Sequence, residues 1–337
     1  MTHLNRRRVL ALGIAAGLTG ASRAWAAAPQ KLTVALDWTP NTNHIGLFVA
    51  RDRGFYAAAG LDVEILPYGD TASTTLVASH VADFGIVSAI GFFTQRAAGA
   101  DLKAVYAVVQ SETGRLVCAA DRTDIHSPKN LDGLRYGGFG SAWENALIGS
   151  IIRHDGGSGK FETVTLGTSA YDALASGAVD FTLEVVTWEG VEAQLKGLKQ
   201  RSFRYADYGV PDQHTTLIAS SQAYLAANPK VAAAFVEATR RGYAFAVDQP
   251  DAAADILLKA NSDFLDPTLI KASLTALNDG HYLRSADGMI GTIDSGKVSA
   301  MGGFLYASSI LLDRDGNPLR QRPDFATYFS NDYLGHS

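Results

Sequence analysis

The sequence predicts an α/β fold of two domains, each a mainly parallel sheet flanked by helices, with a ligand cleft between them. Three observations predict it. Strand and helix patterns alternate along the chain, which is the signature of α/β architecture. At 337 residues the chain exceeds what a single core usually organises. Recognition-type side chains collect where strands end, and open α/β sheets bind ligands at strand C-termini.

The elements follow in order. Residues 1–26 read as an export signal: Arg6, Arg7 and Arg8 precede an apolar run from Val9 to Gly20, and Ala24-Trp25-Ala26 has the form of a cleavage site. The run is shorter than the roughly 20 residues a membrane span needs. Consecutive arginines favour the twin-arginine route over the general secretory (Sec) route. Leu32 to Leu36, Val63 to Leu66, Asp83 to Val87 and Lys103 to Val109 read as strands of a first unit. A second unit begins near Arg115 to Ala119 and continues as strand Leu134 to Gly137, helix Ala142 to Arg153, strand Thr163 to Leu166, helix Ser169 to Ser176 and strand Val179 to Leu183. Leu217 to Ser220 returns the chain to the first unit. The remainder reads as helical: Ser221 to Ala226, Lys230 to Val247, Asp251 to Ala260 and Pro267 to Leu277. The boundaries are therefore 30–113 plus 218–337 for domain I and 114–217 for an inserted domain II. Two crossings between domains are the plan of a hinged cleft that closes on a ligand.

Charge and cysteine content exclude several function classes. Beyond residue 26 the chain carries 25 basic against 34 acidic side chains, so nucleic acid is a poor partner. Cys118 stands alone, which excludes an intramolecular disulfide and cysteine-rich metal sites. The histidines show no close ligand spacing and no metal site is expected. No Gly-x-Ser-x-Gly elbow marks a nucleophile.

The stretch Leu36 to Tyr56 is the most informative. Asp37 and Trp38 fall at a strand end, Pro40 stops the strand, and Asn41, Asn43 and His44 stand just before the helical pattern of Ile45 to Ala50. The segment reads either as a ligand site or as a capped turn with Trp38 in the core. Three tryptophans after residue 26 adjoin carboxylates: Asp37-Trp38, Trp143-Glu144 and Trp188-Glu189. An aromatic face stacks on a flat ring while a carboxylate accepts protons from an amine, and two of the three pairs are expected to face the cleft. The run Gly137-Gly138-Phe139-Gly140-Ser141 opens a helix and is either an anion-holding backbone loop or a tight turn. It lacks the Gly-x-Gly-x-x-Gly order and a Walker lysine. Tyr208 to His214 sit just before the return crossing, and Tyr208 and His214 either line the cleft near the hinge or belong to an ordinary turn with a surface histidine.

Leu36-Asp37-Trp38-Thr39-Pro40-Asn41, then Asn43-His44 and Gly54-Phe55-Tyr56, resemble the opening of the periplasmic thiamine-pyrimidine-precursor-binding proteins of ABC importers. Ala82-Asp83-Phe84-Gly85, Leu131 to Gly137, Tyr208-Gly209-Val210-Pro211 and Phe329 to Leu334 extend the resemblance along nearly the whole chain beyond the signal. It implies a periplasmic-binding-protein fold, a periplasmic location, an inner-membrane ABC permease as partner, no cofactor, and a formylaminopyrimidine or hydroxymethylpyrimidine as ligand. In that frame Trp38 and a second aromatic, Trp188 or Tyr208, sandwich the ring, and Asp37 with Glu184 or Glu189 takes the amine protons. Asn41, Asn43, Ser88 and Ser141 contact the polar substituent, with His44, Gly140, Trp143, Glu144 and His214 also lining the site. Riboflavin or another heterocycle, and nitrate, taurine or an alkylsulfonate, are the alternative ligands. The fungal hydroxymethylpyrimidine phosphate synthase is a related enzyme, but Val87 and Gly91 stand where its lysine and histidine would be, and no cysteine follows Val210. The chain is therefore read as a binder and not an enzyme.

Overall fold

Among residues 28–335, which the computed structural model describes, ten strands form two five-stranded sheets. The expected export signal lies outside the described residues. The first sheet holds β1 (Gln30–Ala35), β2 (Leu61–Leu66), β3 (Phe84–Ser88), β4 (Lys103–Ala107) and a late strand, β10 (Thr216–Ser220), in the order β2-β1-β3-β10-β4. The second holds β5 (Gly114–Ala119), β6 (Arg135–Gly138), β7 (Glu162–Thr165), β8 (Phe181–Val185) and β9 (Gln200–Arg204), in the order β7-β6-β8-β5-β9. The two orders are the same pattern: in each, one strand arriving from the other sheet is inserted next to the third strand of the local set.

That inserted strand is the one reversed member of each otherwise parallel sheet. β10 runs antiparallel to both β3 and β4, and β5 antiparallel to both β8 and β9, while the β1-β2, β1-β3, β6-β7 and β6-β8 pairs are parallel. The cause is topological. A strand that enters directly from the other lobe has no helical crossover to turn it round, so it pairs head to tail. β10 also starts at Thr216, two residues before the expected boundary at 218.

Strand burial follows sheet position. The edge strand β2 alternates, with Leu61 and Val63 buried and Asp62 and Glu64 exposed, whereas Phe84 to Val87 of the interior strand β3 are all buried. Helices Ile45–Asp52 and Pro229–Asp248 cover one face of the first sheet. They approach closely because glycines meet at their crossing: a side chain on Gly242 would strike the carbonyl of Gly46. Beneath them Phe84 stacks on Phe235 at 4.3 Å, and Tyr56 stacks on Phe235 at 5.6 Å. Truncating Phe235, which is fully buried, would cost about 3–5 kcal/mol.

Three elements go beyond the sequence expectation. The polar strand β9 buries little besides Phe203, so alternation was faint. Helix Glu189–Leu195 starts inside the Trp188-Glu189 motif. Helix Ser295–Ala307 contains three glycines, and Gly302 gives room to the ring of Phe325.

The two crossings, around residues 108–113 and 209–215, are bonded to each other. The Glu112 amide donates to Asp212 Oδ1 at 2.8 Å, and the Thr113 amide donates to Thr215 Oγ1 at 2.9 Å. Lys297 Nζ pairs with Asp212 Oδ2 at 2.7 Å and donates to the Gln110 carbonyl at 2.6 Å, so one cation from the first lobe clamps both strands of the connection.

Candidate functional site

The C-terminal ends of β1, β2 and β3 in one lobe, and of β6 and β8 in the other, carry the side chains singled out by chemistry. The ends of β1 and β6 come together: Trp38 meets Phe139 edge to face at 5.4 Å, and Tyr68, just beyond β2, lies 5.6 Å from Trp38. Trp38 is half-buried and belongs to neither main core cluster, while Phe139 and Tyr68 are each 39% exposed. Three aromatic faces thus gather at a junction between lobes without being part of either core. Phe139 and Tyr68 were missed by sequence reasoning. Their signal was available, since both follow strands, but a lone aromatic in a loop does not declare its partner.

Asp37 is held by its own loop. His44 Nδ1 accepts from the Asn41 amide at 3.3 Å, which leaves the proton on Nε2, and Nε2 donates to Asp37 Oδ1 at 2.9 Å. Asn41 accepts from the Asn43 amide through Oδ1 at 2.8 Å and donates to the Thr39 carbonyl through Nδ2 at 3.1 Å. These bonds form a reciprocal cap at the start of the turn Thr42–His44. Asn41 and His44 are buried and engaged inside the loop, where they hold Asp37 in orientation. Asn43 is partly exposed, and its carbonyl accepts from Tyr243 Oη at 2.6 Å.

In the second lobe Ser141 caps helix Ala142–His154, as Ser88, an exposed residue, caps helix Ala89–Ala97 by accepting from the Gly91 amide. Glu144 corrects its expected role. It is fully buried; one carboxylate oxygen accepts from Tyr136 Oη and the Phe139 amide at 3.2 Å, the other from the Ser141 amide at 2.8 Å and Ser141 Oγ at 2.9 Å. With its acceptor positions occupied, Glu144 shapes the glycine loop and so places Phe139. Gly140 is required there, since it has φ +74° and a side chain would collide with Thr165.

Glu184 and Glu189 bracket the turn after β8. Glu184 is buried opposite Arg115, its cross-strand neighbour in the β5-β8 register, and its Oε2 has no hydrogen-bond partner among the described residues. Burial, with the nearby Glu189 charge second, pushes its carboxyl up to about 7 against the opposing pull of Arg115. Burial likewise raises Glu189 to about 7, although the Val185 amide donates to its Oε2 at 3.1 Å. Two protonatable carboxyls in one dry corner suit a ligand that brings its own N–H donors.

The remaining expected residues lie elsewhere. Tyr208 packs on Phe203 beside Asp155, at the C-terminal end of the helix whose N-terminus carries Ser141, so that 13-residue helix separates it from the cleft. His214 is buried at the crossing, where Nε2 accepts from the Asp294 amide at 2.9 Å; burial and Lys297 hold its imidazole down to about 4. Trp143 packs on a core cluster next to the interlobe contact of helices, and Trp188, in the second lobe, packs on the first lobe's core. Of the three tryptophan-carboxylate pairs, only Asp37-Trp38 has both members outside the main core and partly accessible. His44, Asn41, Glu144 and His214 support the site or the hinge because their polar atoms are already paired or sealed.

Comparison with known proteins agrees with this architecture. The chain is 29% identical over 248 residues to a formylaminopyrimidine-binding protein of Halalkalibacterium halodurans, covering 72% of this chain and 74% of that protein. It is 24% identical to a 4-amino-5-hydroxymethyl-2-methylpyrimidine phosphate synthase of Legionella pneumophila, covering 71% and 76%. The alkanesulfonate-binding protein SsuA from Xanthomonas axonopodis pv. citri superposes with a TM-score of 0.66 at 16% identity, covering 90% of this chain and 99% of that one. The fold is that of the periplasmic binding proteins. The model of the family described as NMT1/THI5 like matches residues 41–253, from Asn41 through the long helix Pro229–Asp248 into helix Pro250–Ala260, and the chain belongs to that family.

Proposed function

We propose that this protein is the solute-binding component of an ABC import system and takes up a thiamine pyrimidine precursor, a formylaminopyrimidine or hydroxymethylpyrimidine, by closure of two hinged domains. The observation that carries this reading is the grouping of Trp38, Tyr68 and Phe139 beside a carboxylate, Asp37, that His44 holds in place. A flat ring replaces the Trp38-Phe139 contact by stacking between the lobes, while Asp37 and the Glu184-Glu189 corner accept from the N–H groups of its exocyclic amine. The formylaminopyrimidine-binding relative supports the same ligand class. An inner-membrane permease is the partner that receives the ligand, the twin-arginine or Sec machinery exports the chain, and the periplasm is where it acts.

Binding and release are the whole cycle in this reading. Val87 and Gly91 present no nucleophile or base where a synthase relative would need a lysine and a histidine, since Val87 is buried in β3 and Gly91 lies in the first turn of helix Ala89–Ala97. A sulfonate or nitrate is disfavoured because the Glu184-Glu189 corner is acidic.

A thermal-shift panel tests the proposal. A pyrimidine at 100 times its dissociation constant stabilises the native state by about 2.7 kcal/mol. Stabilisation by 4-amino-5-hydroxymethyl-2-methylpyrimidine or its formylamino relative is expected. Stabilisation by riboflavin alone, or by nitrate or taurine alone, reassigns the ligand, and release of pyrimidine product from pyridoxal phosphate and iron ends the binder reading.

A further inference from the structure

Helix Pro267–Asp279 packs into the first lobe's core through Ile270, Leu274 and Leu277, but one hydroxyl on it looks outward to the other lobe. Ser273 Oγ donates to the Thr187 carbonyl at 2.5 Å and lies 2.6 Å from Thr42 Oγ1. A serine hydroxyl has a single proton, so Thr42 is the donor in the second contact and the bonds run in one direction, from Thr42 through Ser273 to Thr187. All three side chains are at most 2% exposed. A helical serine would ordinarily bond back to a carbonyl of its own preceding turn, and this one reaches across the interface instead.

The two ends of the relay are informative. Thr42 sits between Asn41 and His44, in the turn that orients Asp37. Thr187 sits between Glu184 and Glu189, in the turn that presents the buried carboxyls of the second lobe. Ser273 touches neither carboxylate, yet it is bonded to both turns. Helices Pro267–Asp279 and Glu189–Leu195 are also in contact around it, so the link is sealed from water, where a hydrogen bond is hard to replace.

We propose that Ser273 is a positioning residue that holds the Asp37 turn and the Glu184-Glu189 turn in register when the lobes are together, and thereby sets how firmly the cleft stays closed. The proposal rests on the reading of this cleft as the ligand site. It requires no contact between Ser273 and the ligand.

The test uses the whole protein with cysteines introduced at Glu64 and Glu162 for spin labels, exposed positions on the edge strands β2 and β7, Cys118 being buried. Three variants are compared: Ser273→Ala, which suits a helix interior; Thr42→Val, which keeps shape and loses the proton; and Thr42→Ser, which restores it. Ser273→Ala and Thr42→Val are expected to move the interlobe distances of the ligand-free protein to longer values, and Thr42→Ser to return them to wild type. With 4-amino-5-hydroxymethyl-2-methylpyrimidine as probe, Ser273→Ala weakens binding about tenfold, through faster dissociation, as befits loss of a buried hydrogen bond. Wild-type interlobe distances in both Ser273→Ala and Thr42→Val overturn the proposal, even if the melting temperature falls. If the wild type fails to bind the probe, the ligand reading fails, and the distance measurement on the ligand-free protein still decides the role of Ser273.

Discussion

Trp38 and Phe139 meet edge to face with ring centroids 5.4 Å apart, one at the end of β1 and the other at the end of β6. Neither ring is needed to complete a core, so their contact is available for exchange against a ligand ring. Trp38→Ala and Phe139→Ala should each weaken pyrimidine binding about tenfold, since an aromatic pair contributes on the order of 0.5–1.5 kcal/mol beyond its buried area. Unfolding of the ligand-free variants should stay close to wild type. A large loss of melting temperature with unchanged affinity, measured by calorimetry, would return Trp38 to a core role.

His44 and Asp37 should separate stability from binding. His44→Ala leaves the buried Asn41 amide without its acceptor and should cost about 1–3 kcal/mol in urea unfolding. Asp37→Asn keeps the shape of the loop, so its cost should appear in titration calorimetry as weaker binding with little change in unfolding.

Glu184 and Glu189 should give the ligand-free protein an unusual pH profile. Between the ordinary carboxyl value of 4.5 and about 7 the unfolded chain has released these protons while the folded protein keeps them. Their contribution to stability is therefore present at acid pH and is lost as pH rises through that window. His214 acts in the opposite sense: held down to about 4 from 6.5, it makes the fold less stable as pH falls below 6.5. Two carboxyls outweigh one imidazole, and burial raises the Glu112 carboxyl in the same sense, so the melting temperature should decline between pH 5 and 7.5. Glu184→Gln should flatten that decline; an unchanged slope in this variant would contradict the buried-acid description.

Affinity should respond to pH in the reverse direction. A ligand that brings N–H donors needs the ionised carboxylates, and protons compete for them below about 7. Binding of 4-amino-5-hydroxymethyl-2-methylpyrimidine should weaken as pH falls from 8 to 6, a limb that ordinary carboxylates would place near 4. Titrations in buffers of different ionisation enthalpy measure the protons released, and proton-neutral binding would rule out this corner as the amine site.

Periodicity made the alternating elements readable: β1, β3 and the long helices carry runs of apolar residues at the right spacing, and Asp37-Trp38 advertised itself by ending a strand. What periodicity did not carry was partnership. Glu144 and Glu189 both follow a tryptophan, and only packing distinguishes the carboxylate enclosed by Tyr136, Phe139 and Ser141 from the one left near neutrality in a dry corner. Tyr208 precedes the return crossing in sequence, but its ring packs on Phe203 beside Asp155, at the far end of helix Ala142–His154. Phe139 and Ser273 escaped notice because their significance rests on residues of the opposite lobe, which no local window contains.

The insertion of β10 between β3 and β4 has a consequence for the order in which the chain matures. Among the described strands β4 pairs only with β10, so the first lobe cannot close its sheet until residues 216–220 have been made and threaded into place. The second sheet draws only on residues 114–204 and can condense earlier, as a nucleus that is continuous in sequence. The half that begins the chain is thus the half that finishes last. Until it does, the facing edges of β3 and β4 stay open and form the segment most exposed to mispairing during biogenesis.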